Sequence, residues 1–222
     1  MENPAEIVIE NPDRSRTLPV TEAFQRMIEV LGATLILLLA LPIMVAVAAV
    51  IKTGSPGGVF FFQDRVGRGG KTFRFVKFRT MYVDARERFP ELYRYAYDDE
   101  QMKTLVFKVK DDPRLTPQGR WLRKTSLDEL PNFWNVLTGD MAFVGPRPEI
   151  PQMLPYYPGE LRKKFSVRPG VTGLAQVSGR GNLTFRETAE LDLQYVRQRS
   201  WRMDLYILLK SVKSVLLAVG AS

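Results

Sequence analysis

Residues 30–51 run for 22 positions without a charge. At ~1.5 Å per helical residue that length spans a hydrocarbon core ~30 Å thick, so the stretch predicts a membrane-inserted helix. Pro42 lies just past its middle, where it breaks or kinks a helix. Arg14, Arg16 and Arg26 precede the stretch, whereas Lys52, Arg65, Arg68, Lys71, Arg74, Lys77 and Arg79 follow it. The positive-inside rule therefore puts the downstream part in the cytoplasm. Two topologies satisfy that rule: a simple span with the N-terminus outside, and a re-entrant hairpin kinked at Pro42 that returns to the cytoplasmic face. Residues 1–21 are polar and proline-punctuated and read as a tail. They lack the basic start of a signal peptide.

After a turn cluster at 53–58, residues 59–63 and 73–80 alternate like strands around a glycine-bearing loop at 66–70, which predicts a hairpin. The second strand changes phase between Phe75 and Lys77, which predicts a bulge. Residues 83–102 read as helix broken near Pro90, 107–109 as a short strand and 111–114 as a turn. Thr116 followed by Pro117 predicts an N-cap and first helical residue, opening a helix through Trp121 and Arg123. Ser126-x-x-Glu129 has capping-box spacing and predicts a new helix through Trp134 and Val136 that stops before Gly139. Pro131 fits this poorly, because it falls beyond the first helical position. Thr184-x-x-Glu187 is a second capping box and predicts a helix to about Arg199, with Glu190 and Asp192 on a solvated face. Leu205, Leu208, Leu209, Val212 and Leu216 recur at helical spacing, with Lys210 and Lys213 on another face. That pattern suits core packing or a helix lying on anionic lipid. The elements add up to an α+β chain, mostly helical, with one small β-hairpin.

Composition narrows the chemistry. Apolar residues make up 45% of the chain and aromatics 11%, enough for a real core. Cysteine and histidine are both absent. That excludes disulfides, thiolate metal sites, cysteine nucleophiles, histidine triads and histidine-ligated metals. Acids and bases must then be Asp, Glu, Lys or Tyr, and any metal must take hard oxygen ligands, which favours Mg²⁺. The net charge of +8 points to an acidic partner: anionic lipid, a phosphorylated substrate or nucleic acid. The basic residues are dispersed among glycine loops instead of forming one stripe, and no nucleic-acid motif is present.

Asp128 and Glu129 stand side by side where the helix is predicted to begin, which suits both capping and a phosphate site. The strand end Lys77-Phe78-Arg79-Thr80-Met81 interleaves cations with apolar groups. Gly145-Pro146-Arg147-Pro148 fixes one arginine between two prolines, and a second glycine-rich loop runs from Arg168 through Arg180. Glycine lets a backbone approach a ligand and arginine matches phosphate with two parallel hydrogen bonds. The constellation predicts a phosphate site at a membrane surface.

Five ordered segments resemble the bacterial sugar transferases, the monotopic polyprenyl-phosphate sugar-1-phosphate (phosphoglycosyl) transferases. They are Lys77-Phe78-Arg79-Thr80-Met81, Thr125-Ser126-Leu127-Asp128-Glu129-Leu130-Pro131, residues 139–148, residues 167–173 and Gln176-Val177-Ser178-Gly179-Arg180. The resemblance implies transfer of a sugar 1-phosphate from a UDP-sugar donor to undecaprenyl phosphate with release of UMP, and a need for Mg²⁺. It makes Asp128 the nucleophile and Glu129 its partner, with both carboxylates as metal ligands. It puts Pro146, Arg147 and Pro148 at the nucleotide, and adds Arg123 and Arg180 to the substrate-binding set; Lys77, Arg79 and Arg168 join from the cationic segments. It also implies a re-entrant anchor broken at Pro42, with Leu41 where many members carry serine. The expected organisation is a tail over 1–21, an anchor over 22–52 and a catalytic domain over 53–222, on the cytoplasmic face of the bacterial inner membrane, ending in an interfacial helix. The expected partners are the donor, the lipid acceptor and membrane lipid, not nucleic acid. Two rivals remain: a membrane-tethered module binding anionic lipid or nucleic acid, and a Mg²⁺-dependent hydrolase of nucleotide-sugar pyrophosphates.

Overall fold

The computed structural model describes residues 19–216, so residues 1–18 of the tail expected over 1–21 lie outside the described part, and its last three residues already belong to a helix. The apolar stretch is one 36-residue helix, α1 (Pro19–Gly54), and it continues through Pro42. The break expected at Pro42 does not interrupt the helix: an interior proline removes one hydrogen bond, and here that loss does not end it. Leu35, Leu38, Leu39, Leu41, Ile43 and Val45 are exposed along its middle. It is the one helix among the described residues long and apolar enough to cross a membrane.

The hairpin forms from β1 (Phe60–Val66) and β2 (Thr72–Phe78), paired antiparallel without interruption from Phe60↔Phe78 to Val66↔Thr72. The expected bulge is therefore absent: Phe75, Val76 and Phe78 are all buried, so the phase change reflects a strand covered on both faces toward its end. Pro90 breaks the next segment as expected. A short helix α2 (Ala85–Arg88) gives way to a 3₁₀ turn (Pro90–Tyr93), and α3 (Asp99–Thr104) follows behind an Asp98 capping box. Residues 107–109 are not a strand. Phe107 instead stacks edge-on against Phe185, and the Phe185 amide donates to the Leu105 carbonyl at 2.7 Å.

Thr116 caps α4 (Pro117–Thr125) by accepting from the Gly119 amide at 3.0 Å, with Pro117 at the first turn. After a 3₁₀ turn (Leu127–Glu129) comes α5 (Asn132–Thr138), closed by Gly139 at φ 90°. Two three-residue strands that the sequence pattern does not announce, β3 (Ala142–Val144) and β4 (Gly170–Thr172), pair in parallel. Between them the chain makes two 3₁₀ stretches (Pro151–Tyr156 and Gly159–Ser166). Then come α6 (Leu174–Ser178), α7 (Phe185–Gln198) and α8 (Trp201–Leu216). The Thr184–Glu187 capping box at the start of α7 is complete.

α1 packs on the rest of the chain at both ends. Ala33 joins Phe75, Val136 and Met141 in one apolar cluster, and Val47 and Ile51 join Phe78 and Leu122 in another. Burying a side chain such as Phe78 or Leu122 contributes about 1.5–3 kcal/mol, so both ends of α1 are firmly docked. Asp192 corrects the sequence reading. It is not on a solvated face but 0% exposed, 2.9 Å from the ammonium of Lys164.

Candidate active site

The site is built where α4 stops. Ser126 adopts φ 58°, ψ 14° and ends α4, its amide donating to the Arg123 carbonyl at 3.3 Å. The capping box expected at Ser126 and Glu129 is therefore not formed, and the Ser126 side chain makes no cap hydrogen bond. A non-glycine residue in the left-handed region costs on the order of 1 kcal/mol, which surrounding structure must offset. Its effect is a sharp reversal. Leu127 goes into the cluster of Phe78 and Leu122, and Asp128 turns inward to 5% exposure. Pro131 then sits just before α5, where its missing N–H costs nothing, which removes the misfit in the sequence.

Asn135 on α5 fixes the facing strand. Its side-chain oxygen accepts from the Val76 amide at 3.1 Å and its nitrogen donates to the Arg74 carbonyl at 2.9 Å. A single side chain thus completes the open edge of β2 and sets Lys77 beside the carboxylates. Lys77, Arg123 and Arg147 are the cations acting on Asp128. Burial comes first for Asp128 and the Glu129 charge second; together they outweigh the three cations and push its carboxyl up to about 6. Burial likewise lowers Lys77 to about 8, with Arg123 adding to the effect. Arg147 is half-exposed, and its guanidinium donates to Glu129 at 3.1 Å. Glu129 accordingly raises the Arg147 value above the ordinary one. No hydrogen bond or ion pair within 4 Å occupies the Asp128 carboxylate among the described residues.

Each cation has its own support. The Arg123 guanidinium donates to the Thr80 hydroxyl at 3.3 Å and lies 3.8 Å from Asp112. Asp112 is buried and also gripped by Arg114 through two hydrogen bonds of 2.8 Å. Burial works against the Asp112 charge, but the Arg114 hydrogen bonds win and hold its carboxyl below the usual range. Arg147 rides on a loop pinned from below. Arg65 donates to the Pro148 carbonyl at 3.0 Å, and the Gly170 amide donates to the Pro146 carbonyl at 2.9 Å. A Cβ on Gly170 would come within 2.1 Å of the Gly145 nitrogen. The two glycine loops therefore approach each other, and glycine serves that crossing.

The sequence pattern of the bacterial sugar transferase family matches residues 20–218. The chain belongs to the bacterial sugar transferases. "Galactosyl transferase CpsE" of Streptococcus agalactiae is 43% identical over 199 residues, which are 89% of this chain and 43% of the relative. "UDP-galactose-lipid carrier transferase" of Erwinia amylovora is 40% identical over 197 residues, 89% of this chain and 41% of the relative. "Exopolysaccharide production protein ExoY" of Rhizobium meliloti is 36% identical over 203 residues, covering 91% and 90%. The chain thus spans less than half of the first two relatives and nearly all of the third.

In this sugar transferase the predicted cations divide. Lys77, Arg123 and Arg147, with Pro146 and Pro148 on either side of the last, gather at the carboxylate pair. Arg79 does not. It hydrogen-bonds the Pro56 and Ser55 carbonyls and ties β2 to the turn that ends α1. Arg168 also lies elsewhere, bidentate on Glu29 of α1 at 2.6 and 3.0 Å. The side chain of Arg180 is outside those described. Asn135, Asp112 and Arg65 were missed by the sequence reading. The one prior signal is Asp112 within Asp111-Asp112-Pro113-Arg114, which reads as a turn. Among the described residues no three carboxylates gather to hold a metal. At this site Asp128 and Glu129 offer two neighbouring carboxylates with hard oxygens. That number fits Mg²⁺, which is commonly held by one or two carboxylates plus substrate phosphates.

Proposed function

We propose that this sugar transferase moves a sugar 1-phosphate from a UDP-sugar to a polyprenyl phosphate at the cytoplasmic face of the bacterial inner membrane, releasing UMP. The observation that carries the reading is the open, buried Asp128 carboxylate facing Lys77, Arg123 and Arg147 in a domain docked on an apolar helix. The name of the Erwinia relative joins UDP-galactose and a lipid carrier, and that of the Rhizobium relative exopolysaccharide production, the same chemistry and setting.

In this mechanism an Asp128 oxygen attacks the β-phosphorus, the one bearing the sugar. The bond from that phosphorus to the α–β bridging oxygen breaks, and UMP departs with the oxygen. An oxygen of the lipid phosphate then attacks the same phosphorus and Asp128 leaves as carboxylate. A value near 6 keeps Asp128 largely ionised at pH 7, as a nucleophile must be. The three cations counter the charge that accumulates as carboxylate meets diphosphate. Mg²⁺ held by Asp128 and Glu129 would supply further neutralisation at the diphosphate. Arg147, braced between two prolines and by Glu129, meets the nucleotide end of the donor.

The docking of α1 supports a re-entrant anchor. Arg26 donates to the Val136 and Leu137 carbonyls near one end, and Val47 and Ile51 pack on the same domain near the other. A helix crossing the bilayer straight would carry those ends ~30 Å apart on opposite faces. The chain lacks cysteine, so Asn11→Cys gives a single reporter. It is expected to resist an impermeant maleimide added to intact cells, whereas labelling from outside means a full span. Function is tested by product analysis. UMP should form in quantity only with both UDP-sugar and polyprenyl phosphate present. Continuous turnover without lipid makes the protein a hydrolase, and no turnover with either leaves a binding module.

A further inference from the structure

A second cationic cavity of about 240 Å³ opens between the start of α1, the end of α5 and the end of α7. Arg26, Arg68, Arg168 and Arg199 line it, with Glu22 and Tyr195. It shares no lining residue with the carboxylate site. Its volume is several times the ~30 Å³ a water occupies in the liquid, enough for a phosphate ester.

The four arginines are not equivalent. Arg26 is fixed by the carbonyls at the end of α5 and lies 3.4 Å from Glu29, and Arg168 is fixed by both oxygens of Glu29. These two form a rigid wall. Arg68 and Arg199 have no carboxylate within 4 Å among the described residues; Arg199 donates to the neutral Gln25 oxygen at 3.3 Å, lies against the Tyr195 hydroxyl and feels the Asp204 charge from beyond 4 Å. Of the carboxylates nearby, Glu29 is taken by Arg168, and Asp204 accepts from the Tyr195 hydroxyl at 2.8 Å. Two guanidiniums are thus left with charge and donors to offer.

The cavity also lies at a definite depth. Phe24, Met27, Ile28 and Leu31, on the same turns of α1 that line it, are exposed apolar groups, and Trp201 at the start of α8 is 69% exposed. Exposed aromatic and apolar groups beside arginines mark the level of lipid headgroups. We propose that this cavity binds the phosphate ester of an anionic phospholipid, with Arg68 and Arg199 as its donors and the exposed face of α1 against its acyl chains. The inference rests on the reading that α1 enters the membrane, and not on the chemistry at Asp128. Arginine pairs with phosphate through two parallel hydrogen bonds. A headgroup without an ammonium suits a wall of guanidiniums better than a zwitterionic one.

The test is native mass spectrometry of the full chain released from nanodiscs containing equal phosphatidylglycerol and phosphatidylcholine. The wild type should retain the anionic lipid at least ~10-fold over the zwitterionic one. An arginine near a membrane surface contributes about a five-fold preference, so Arg68→Gln with Arg199→Gln should bring the ratio close to one. The same pair changed to Lys should keep most of the preference, which separates loss of charge from loss of fold. Millimolar inorganic phosphate should not displace the lipid. Displacement by phosphate would make this a soluble-anion site and overturn the lipid assignment. An unchanged ratio in the Gln variant, or no preference in the wild type, would overturn the site. Retention of neither lipid would remove the membrane reading and the proposal with it.

Discussion

Asp128 and Asp192 are both buried aspartates with a lysine in their surroundings, Lys77 in one case and Lys164 in the other. Lys164 closes on Asp192 at 2.9 Å, and its ammonium also donates to the Tyr157 hydroxyl, which in turn donates to Glu149 at 2.8 Å. That chain ends one residue from Pro148, so it braces the loop carrying Arg147 from within. Burial still outweighs the Lys164 charge and holds the Asp192 carboxyl above the usual range. Asp128 has no such contact. Its three cations stand back, and two of them are held by other carboxylates, Arg123 by Asp112 and Arg147 by Glu129. A direct ion pair fills the space between charges and makes scaffold. A ring of cations held short of contact leaves room for a phosphate, at the cost of a poorly solvated carboxylate.

The comparison breaks or holds on substitution. Asp128→Asn is expected to reduce turnover at least ~10³-fold, the scale seen when a nucleophile is removed, while the fold survives. It should also stabilise the protein. The folded value lies above the ordinary one, so ionised Asp128 opposes folding. That cost is absent below about pH 4 and complete above about 6, on the order of 2–3 kcal/mol. Urea midpoints at pH 7.5 should favour the Asn variant, and the gap should close toward pH 4. Asp192→Asn is expected to spare the rate: it removes the 2.9 Å partner of the buried Lys164 but leaves Glu149 at 4.0 Å, so turnover per folded molecule should stay within a few-fold. A variant that stays stable but loses turnover would place Asp192 with Asp128.

A smaller effect is expected from pH. Donor-dependent UMP release should rise as pH passes about 6, where Asp128 ionises, and fall as pH passes about 8, where Lys77 loses its proton. Asp128→Glu or Lys77→Arg should each move one limb and leave the other, and a flat profile would detach both groups from the rate. The smallest effect is expected at Ser126. Glycine adopts its left-handed conformation freely, so Ser126→Gly should stabilise by up to about 1 kcal/mol, read as a raised thermal midpoint. A loss of stability there would mean that the Ser126 side chain supports the turn.

Much of this was legible in the sequence, because its signals are local. The apolar run gave α1, glycine between alternating strands gave the hairpin, and Thr184-x-x-Glu187 gave the start of α7. The carboxylate pair and Arg147 stood out because their neighbours are rigid or charged. Ser126-x-x-Glu129 misled because the same spacing fits two structures, and only the end of α4, which takes Ser126 as its own cap, decides between them. β3 and β4 are three residues each and pair across 25 intervening positions, too short and too distant for a periodic signal. The parting of Arg79 and Arg168 from the site followed from their partners on or beside α1, which no spacing within either motif reveals. Asp192 was misread for the same reason: its partner Lys164 lies on another element.

The most direct test of the account is intact-protein and peptide mass spectrometry of the enzyme trapped with UDP-sugar in the absence of lipid. An added sugar phosphate is expected on the peptide carrying Asp128, absent from Asp128→Asn, with UMP released in an amount matching the enzyme. Neither adduct nor UMP, in a preparation that turns over normally once polyprenyl phosphate is added, would mean direct transfer from donor to lipid and would contradict a covalent role for Asp128.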